Sequence, residues 1–241
     1  MKYLLIKFLI MTSFVLYAQQ SELAWDYPVK PGMEQWKKFK SVDEMYQACQ
    51  IPVNFLKQLD TESLVEICLN FPAPPLFPIF NTPKHAFMEF YSNFNGIREL
   101  FERRDAGRYL LKKYSEMSLS EFNPQWPLYR QGQFISHYKF IESILSQTQI
   151  LTSLGSVGRN SLLKESIRKM DEKISKNDLF SGFSLEINLW MIGNLLYSEN
   201  RSLLQGYDDE ALQTAIETGM FVDIDVDRLY QQAKKYAHEN E

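Results

Sequence analysis

The sequence is poor in the residues from which active centres are usually built. It has three histidines, two cysteines and ten scattered glycines among 241 residues. His85, His137 and His238 are far apart, and no His-Glu-x-x-His run is present, which removes the commonest zinc-hydrolase pattern. His85 and Glu89 lie four apart on one predicted helix, but no third ligand accompanies them. The glycines at 155, 158, 182 and 206 are isolated, so no phosphate-cradling loop is expected, and no Gly-x-Ser-x-Gly elbow occurs. Asp223, Asp225 and Asp227 are followed by Arg228 and Lys234 where a calcium loop needs glycine and glutamate. The expectation is therefore no metal, no cofactor and no recognisable catalytic motif. Alternation with period two is almost missing as well, which excludes a sheet.

Excess positive charge is also lacking. The net charge is −4, and it becomes −6 if Lys2 and Lys7 are removed with a leader. A broad electrostatic contact with nucleic acid is not expected from such a chain. Lys2 followed by the apolar run Phe8–Tyr17 and the small residue Ala18 reads as a secretory signal over residues 1–18, cleaved near Ala18. The run is too short to span a bilayer, and no later segment is long and apolar enough to do so. The expected setting is the periplasm or the cell exterior.

What is present is helical patterning and aromatic side chains, 14% of the chain. Residues 19–40 carry Pro28, Pro31 and Gly32, which indicates an extended lead-in anchored by Trp25, Tyr27 and Trp36. Residues 41–241 read as one all-α domain, with a sub-boundary near 118–128. Ser41 with Glu44 forms a capping box, and Asp60 and Thr82 cap later helices. All ten prolines lie at or before Pro127, so helices are short before that point and longer after it. A long helix is expected to end at Gly155, with Asn160 capping the next. In that next helix Leu163, Ile167, Met170 and Ile174 face inward, and Lys164, Glu165, Arg168, Lys169, Glu172 and Lys173 form the outer face. The segment 185–196 is apolar nearly all round, as a central helix would be. Asp208 and Asp225 cap the last two helices. The fold expected is an irregular multi-helix array or bundle, partly solenoid-like in its first half.

Three features are candidates for more than packing. Cys49 and Cys68 suit one disulfide in an exported protein, or two buried thiols. The Pro-rich stretch 71–78, with Phe71, Leu76 and Phe77, is either a packed connector or a binding edge. Arg103, Arg104 and Arg108 head a basic stretch interleaved with acids, which reads as a salt-bridged face or a contact for an anionic partner.

The stretches Tyr27–Gly32, Phe94–Leu100 and Leu162–Ile167 resemble segments of an uncharacterised family of bacterial exported, all-helical proteins. The resemblance implies a shared helical fold and an envelope or secreted setting, and it brings no activity. The function expected is a protein-binding or scaffolding module for an unidentified protein partner. The alternative is a hydrolase of envelope polymers using a carboxylate site. A deep cleft with convergent acids would favour the enzyme, and an aromatic groove the binding protein.

Overall fold

The computed structural model describes residues 25–72, 80–176, 179–180, 182–199 and 201–239. The leader over residues 1–18, its cleavage point and the candidates Leu76 and Phe77 lie outside them. Among the described residues the protein is all-helical, with eleven α-helices and no strand. No helix among them is long and apolar enough to cross a membrane.

The first six helices are short: α1 (Val42–Ala48), α2 (Val53–Leu56), α3 (Thr61–Leu69), α4 (Pro83–Asn93), α5 (Asn95–Glu102) and α6 (Ala106–Glu116). Side chains punctuate them. Ser41 accepts the Glu44 amide at 3.2 Å, and the Glu44 carboxylate accepts the amide of Lys40, one residue earlier than a standard capping box. Asp60 and Thr82 accept the amides of Ser63 and His85. At the first residue of α5, Asn95 donates to the Ile51 carbonyl at 2.7 Å and accepts from the Ile51 amide at 3.0 Å. One side-chain amide thus satisfies the main chain of a distant loop.

Three long helices follow: α7 (Leu128–Leu145), α8 (Thr148–Ser175) and α9 (Phe183–Glu199). An additional break, not expected, falls at residues 146–147, where Ser146 and Gln147 donate back to the carbonyls of Glu142 and Ser143 and close off α7. The expected helix end at Gly155 is present: at φ 62° and ψ 178° its backbone is non-helical and breaks α8 into two helical pieces. The expected cap at Asn160 is corrected, because Asn160 lies inside the second piece. Two further helices, α10 (Asp209–Thr218) and α11 (Val226–Glu239), are capped by Asp208 and Asp225 as the sequence indicates.

α9 is the axis of the molecule. Leu189 through Leu196 are all buried, and α7, α8, α10 and α11 surround the helix. The shorter helices join through α4 against α7 and α6 against α8. α6 approaches α8 so closely that a Cβ on Gly107 would lie 2.9 Å from the Leu154 side chain and 3.0 Å from the Ile150 carbonyl. The main apolar core runs from Tyr27 to Ala233 and includes Leu119 from the segment joining the two halves.

The lead-in is fixed by Tyr27, whose hydroxyl donates to the Ile67 carbonyl at 2.8 Å, and by Trp25 packed on Phe55. Phe71, a candidate for an interaction surface, is packed into the core. It is 3% exposed and is ringed by Tyr27, Tyr46, Phe90 and Phe94, with centroids 4.6–5.7 Å away. That contact set contributes a few kcal/mol from burial alone, of order 1.5–3 for one such side chain.

Cys49 and Cys68 are free and fully buried, so the disulfide expectation is corrected in favour of two packed thiols. Both act as small apolar side chains beside Tyr27, and burial pushes the Cys49 thiol up to about 11 and Cys68 higher still. A thiol-disulfide reagent at about pH 8 is expected to find no reactive thiol in the folded protein and two per chain in denaturant. Finding none in denaturant would establish a bond instead.

Candidate functional site

Four helices converge on one buried carboxylate. Glu142 of α7 accepts three hydrogen bonds on a single oxygen. They come from Tyr114 of α6 at 2.8 Å, Lys173 of α8 at 2.5 Å and Asn188 of α9 at 2.9 Å. One turn before Lys173, Lys169 pairs with Glu165 at 3.0 Å and lies over the ring of Tyr114. Both lysines are 0% exposed, which corrects the reading that places them on the outer face of their helix. Ile174, expected inside, is 45% exposed. Burial lowers the pKa of Lys173 and Glu142 opposes that shift; burial and then the Glu142 charge raise that of Tyr114. This cluster has the composition of an acid–base centre, but Glu142, Lys173 and Asn188 line neither main pocket. It is a knot that fixes helix positions.

The surface site lies at the other end of α7. The first half of that helix projects from the body, with Leu128 84% and Tyr129 71% exposed. Its Gln133 and His137, four apart and hence on one side, form one wall of a groove of about 680 Å³. The lead-in (Trp25 to Pro31) forms the opposite wall, and the outer side of α3 forms the floor through Ser63, Glu66 and Asn70. The groove continues past Glu66, Asn70 and His137, which it shares with a smaller pocket of about 270 Å³ running down to Phe134 and Tyr138.

The electrostatics of the groove are subdued. Asp26 pairs with Lys30, and Glu66 pairs with Lys113 at 2.5 Å. Burial of the ring, and after it Lys113, lowers the pKa of His137, and Glu66 opposes that shift. Two residues that line these pockets each hold a buried polar atom with no hydrogen-bond partner among the described residues: the indole nitrogen of Trp25, a residue of the groove, and the hydroxyl of Tyr138, a residue of the smaller pocket.

Of the residues singled out in the sequence, Phe71 lines the groove, though it is almost fully buried. Arg103, Arg104 and Arg108 do not line it. Arg103 pairs with Glu99 at 2.7 Å, and Arg108 stacks on Tyr109. Further along that stretch, Lys112 and Lys113 tie α6 to α3 through Glu62 and Glu66. Sequence reasoning missed Gln133, His137 and Tyr138 as a set. The signal available was their i, i+4 and i, i+5 spacing on a helix whose start has exposed apolar residues. Among the described residues no group of three His, Cys, Asp or Glu side chains could hold a metal ion.

Compared with protein-family models, curated proteins and solved structures, the chain matches none.

The tyrosines predict the alkaline limit of stability. Burial is the largest cause of raised pKa values for Tyr27, Tyr46, Tyr114, Tyr138 and Tyr230. Folding keeps these phenols protonated, whereas the unfolded chain loses their protons from about pH 10 upward. Their contribution is fully present below about pH 10 and is lost as pH rises. Urea denaturation at increasing pH is expected to show stability falling above about pH 10, with these five tyrosines ionising together with unfolding. Their ionisation in the still-folded protein would contradict this.

Proposed function

We propose that this chain is an exported binding protein that receives an extended segment of a protein partner in the groove between the lead-in and α7. The export half of the reading rests on the leader-like residues 1–18 and on the resemblance to bacterial exported helical proteins. The binding half rests on the chemistry of the groove, and one observation carries it. The indole N–H of Trp25, a residue of the groove lining, is buried without an acceptor among the described residues. A buried donor left unpaired costs about 1–3 kcal/mol. A backbone carbonyl of a segment laid along the groove supplies the missing acceptor. Gln133 and Asn70 present amides, the groups that pair with an extended main chain, and Pro31 and Pro72 add apolar surface that such a segment covers.

The hydrolase alternative receives less support. It requires two carboxylates at working distance, one of them free to act as base. The two acids lining the larger groove, Asp26 and Glu66, each already hold an ammonium group.

A photo-activatable crosslinker installed at the position of Gln133, in cells that make and export the protein, tests the reading. A second crosslinker at Val157, exposed on α8 and outside both pockets, is the control. The expected result is one reproducible polypeptide adduct from position 133 and none from 157. Equal labelling from both positions, or no polypeptide adduct at 133, would contradict the proposal.

A further inference from the structure

We infer, independently of the reading of the groove, that Asn95 is a deamidation site masked by folding. It belongs to the chain's one Asn-Gly pair, and its modification requires the corner between α1 and α5 to open.

The chemistry is intramolecular. The backbone nitrogen of Gly96 attacks Cγ of Asn95, ammonia leaves, and a five-membered imide closes. Water then opens the ring at either carbonyl. One opening gives aspartate, and the other gives its isomer, in which the main chain runs through the former side chain. Water is the only co-reactant, and nothing is oxidised or reduced. Glycine after asparagine favours closure, because no side chain shields its nitrogen and its backbone turns freely.

The packing requires both members of this labile pair. A Cβ on Gly96 would lie 2.4 Å from the Phe94 ring and 2.9 Å from the Ile51 side chain, so a larger residue displaces one of them. Asn95 answers both main-chain groups of Ile51, accepting from the amide through Oδ1 and donating to the carbonyl through Nδ2. Its own N–H donates to the side-chain oxygen of Gln50 at 3.1 Å. Gln50 donates in turn to the carbonyls of Tyr46 and Asn93, at 2.7 and 2.8 Å. A carboxylate at position 95 has no donor for the Ile51 carbonyl, so only the amide completes the set.

The same bonds protect the pair. Asn95 is the first residue of α5, and ring closure needs it to leave helical ψ and to release both groups of Ile51. Gly96 and Ile51 are buried as well, so closure waits for local opening of the corner. Once formed, the product does not fit. The carboxylate sets two acceptors against each other at the Ile51 carbonyl, and the isomer lengthens the main chain where α5 begins. A negative charge in a first helical turn is favourable, but here the side chain is committed to Ile51 rather than to the free amides of the helix. The damage reaches the groove. Phe94, next in the chain, packs 4.6 Å from Phe71 and 6.4 Å from Tyr27, and both of those line it.

The whole protein is held in mildly alkaline buffer, with and without denaturing urea, and the peptide containing residue 95 is followed by mass spectrometry. Conversion of amide to acid at Asn95 is expected in urea and to be at least about tenfold slower in the folded protein. Gln50→Ala, which frees the Asn95 amide, is expected to speed the folded reaction about threefold or more and to leave the rate in urea unchanged. Asn95→Asp gives a second reading that needs no kinetics, and it serves where Gln50→Ala fails to fold. Its urea midpoint is expected to lie below that of the parent at neutral pH. The acid form donates to the Ile51 carbonyl again, so folding raises the pKa of this carboxyl. The loss is therefore smallest below about pH 4, the unfolded value, and grows as pH rises through the folded one. Equal rates with and without urea, or no conversion in urea, overturn the inference. So does a folded Gln50→Ala protein that reacts no faster than the parent, or an Asn95→Asp midpoint equal to the parent's at neutral pH.

Discussion

A buried carboxylate must find partners or be expelled, and Glu142 finds them on three other helices. The oxygen that accepts from Tyr114, Lys173 and Asn188 places α6, α7, α8 and α9 relative to one another. Apolar contacts alone are permissive, since a helix can slide by a turn and still bury leucines. A one-turn slip moves a donor by about 5.4 Å, which leaves the carboxylate unpaired in the core. Such a contact contributes little net stability compared with an apolar replacement, but it selects one arrangement among several. With the second half of α7 so fixed, its first half must project, and that projection makes the groove wall.

The unsatisfied buried atoms separate the two regions. In the knot, the second Glu142 oxygen and the Asn188 carbonyl oxygen lack partners among the described residues, deep among packed side chains where a bound water would serve them. Nearer the surface, the buried Trp25 nitrogen and Tyr138 hydroxyl belong to side chains that line the two pockets. Tyr138 stands between the two regions. The lysines of the knot lie over its ring, and the residue also lines the smaller pocket.

Much of the fold was legible because local chemistry determines it. Asp60, Thr82, Asp208 and Asp225 cap helices by the same hydrogen bond in any context, and the all-round apolar pattern near Trp190 leaves no site but the centre. The burial of Lys169 and Lys173 was not legible. Their partners are remote in sequence, Glu142 lying 31 residues from Lys173, and charged residues on a patterned helix ordinarily face water. The break after α7 was missed because Ser146 and Gln147 end the helix by side-chain bonds, without glycine or proline. The groove was hidden for a further reason: it is made by the lead-in, α3 and α7, which only the tertiary fold brings together. The basic stretch near Arg103 stood out in the sequence, yet the structure uses most of its charges to join neighbouring helices.

The dependence of the architecture on Glu142 is tested most directly by a double-mutant cycle, Glu142→Leu and Lys173→Met, read by urea denaturation. Lys173→Met alone is predicted to cost about 3–5 kcal/mol, because it strands a buried carboxylate, and the double variant to recover most of that loss. A single variant as stable as the parent, or a double variant whose loss is the sum of the two singles, would contradict the account.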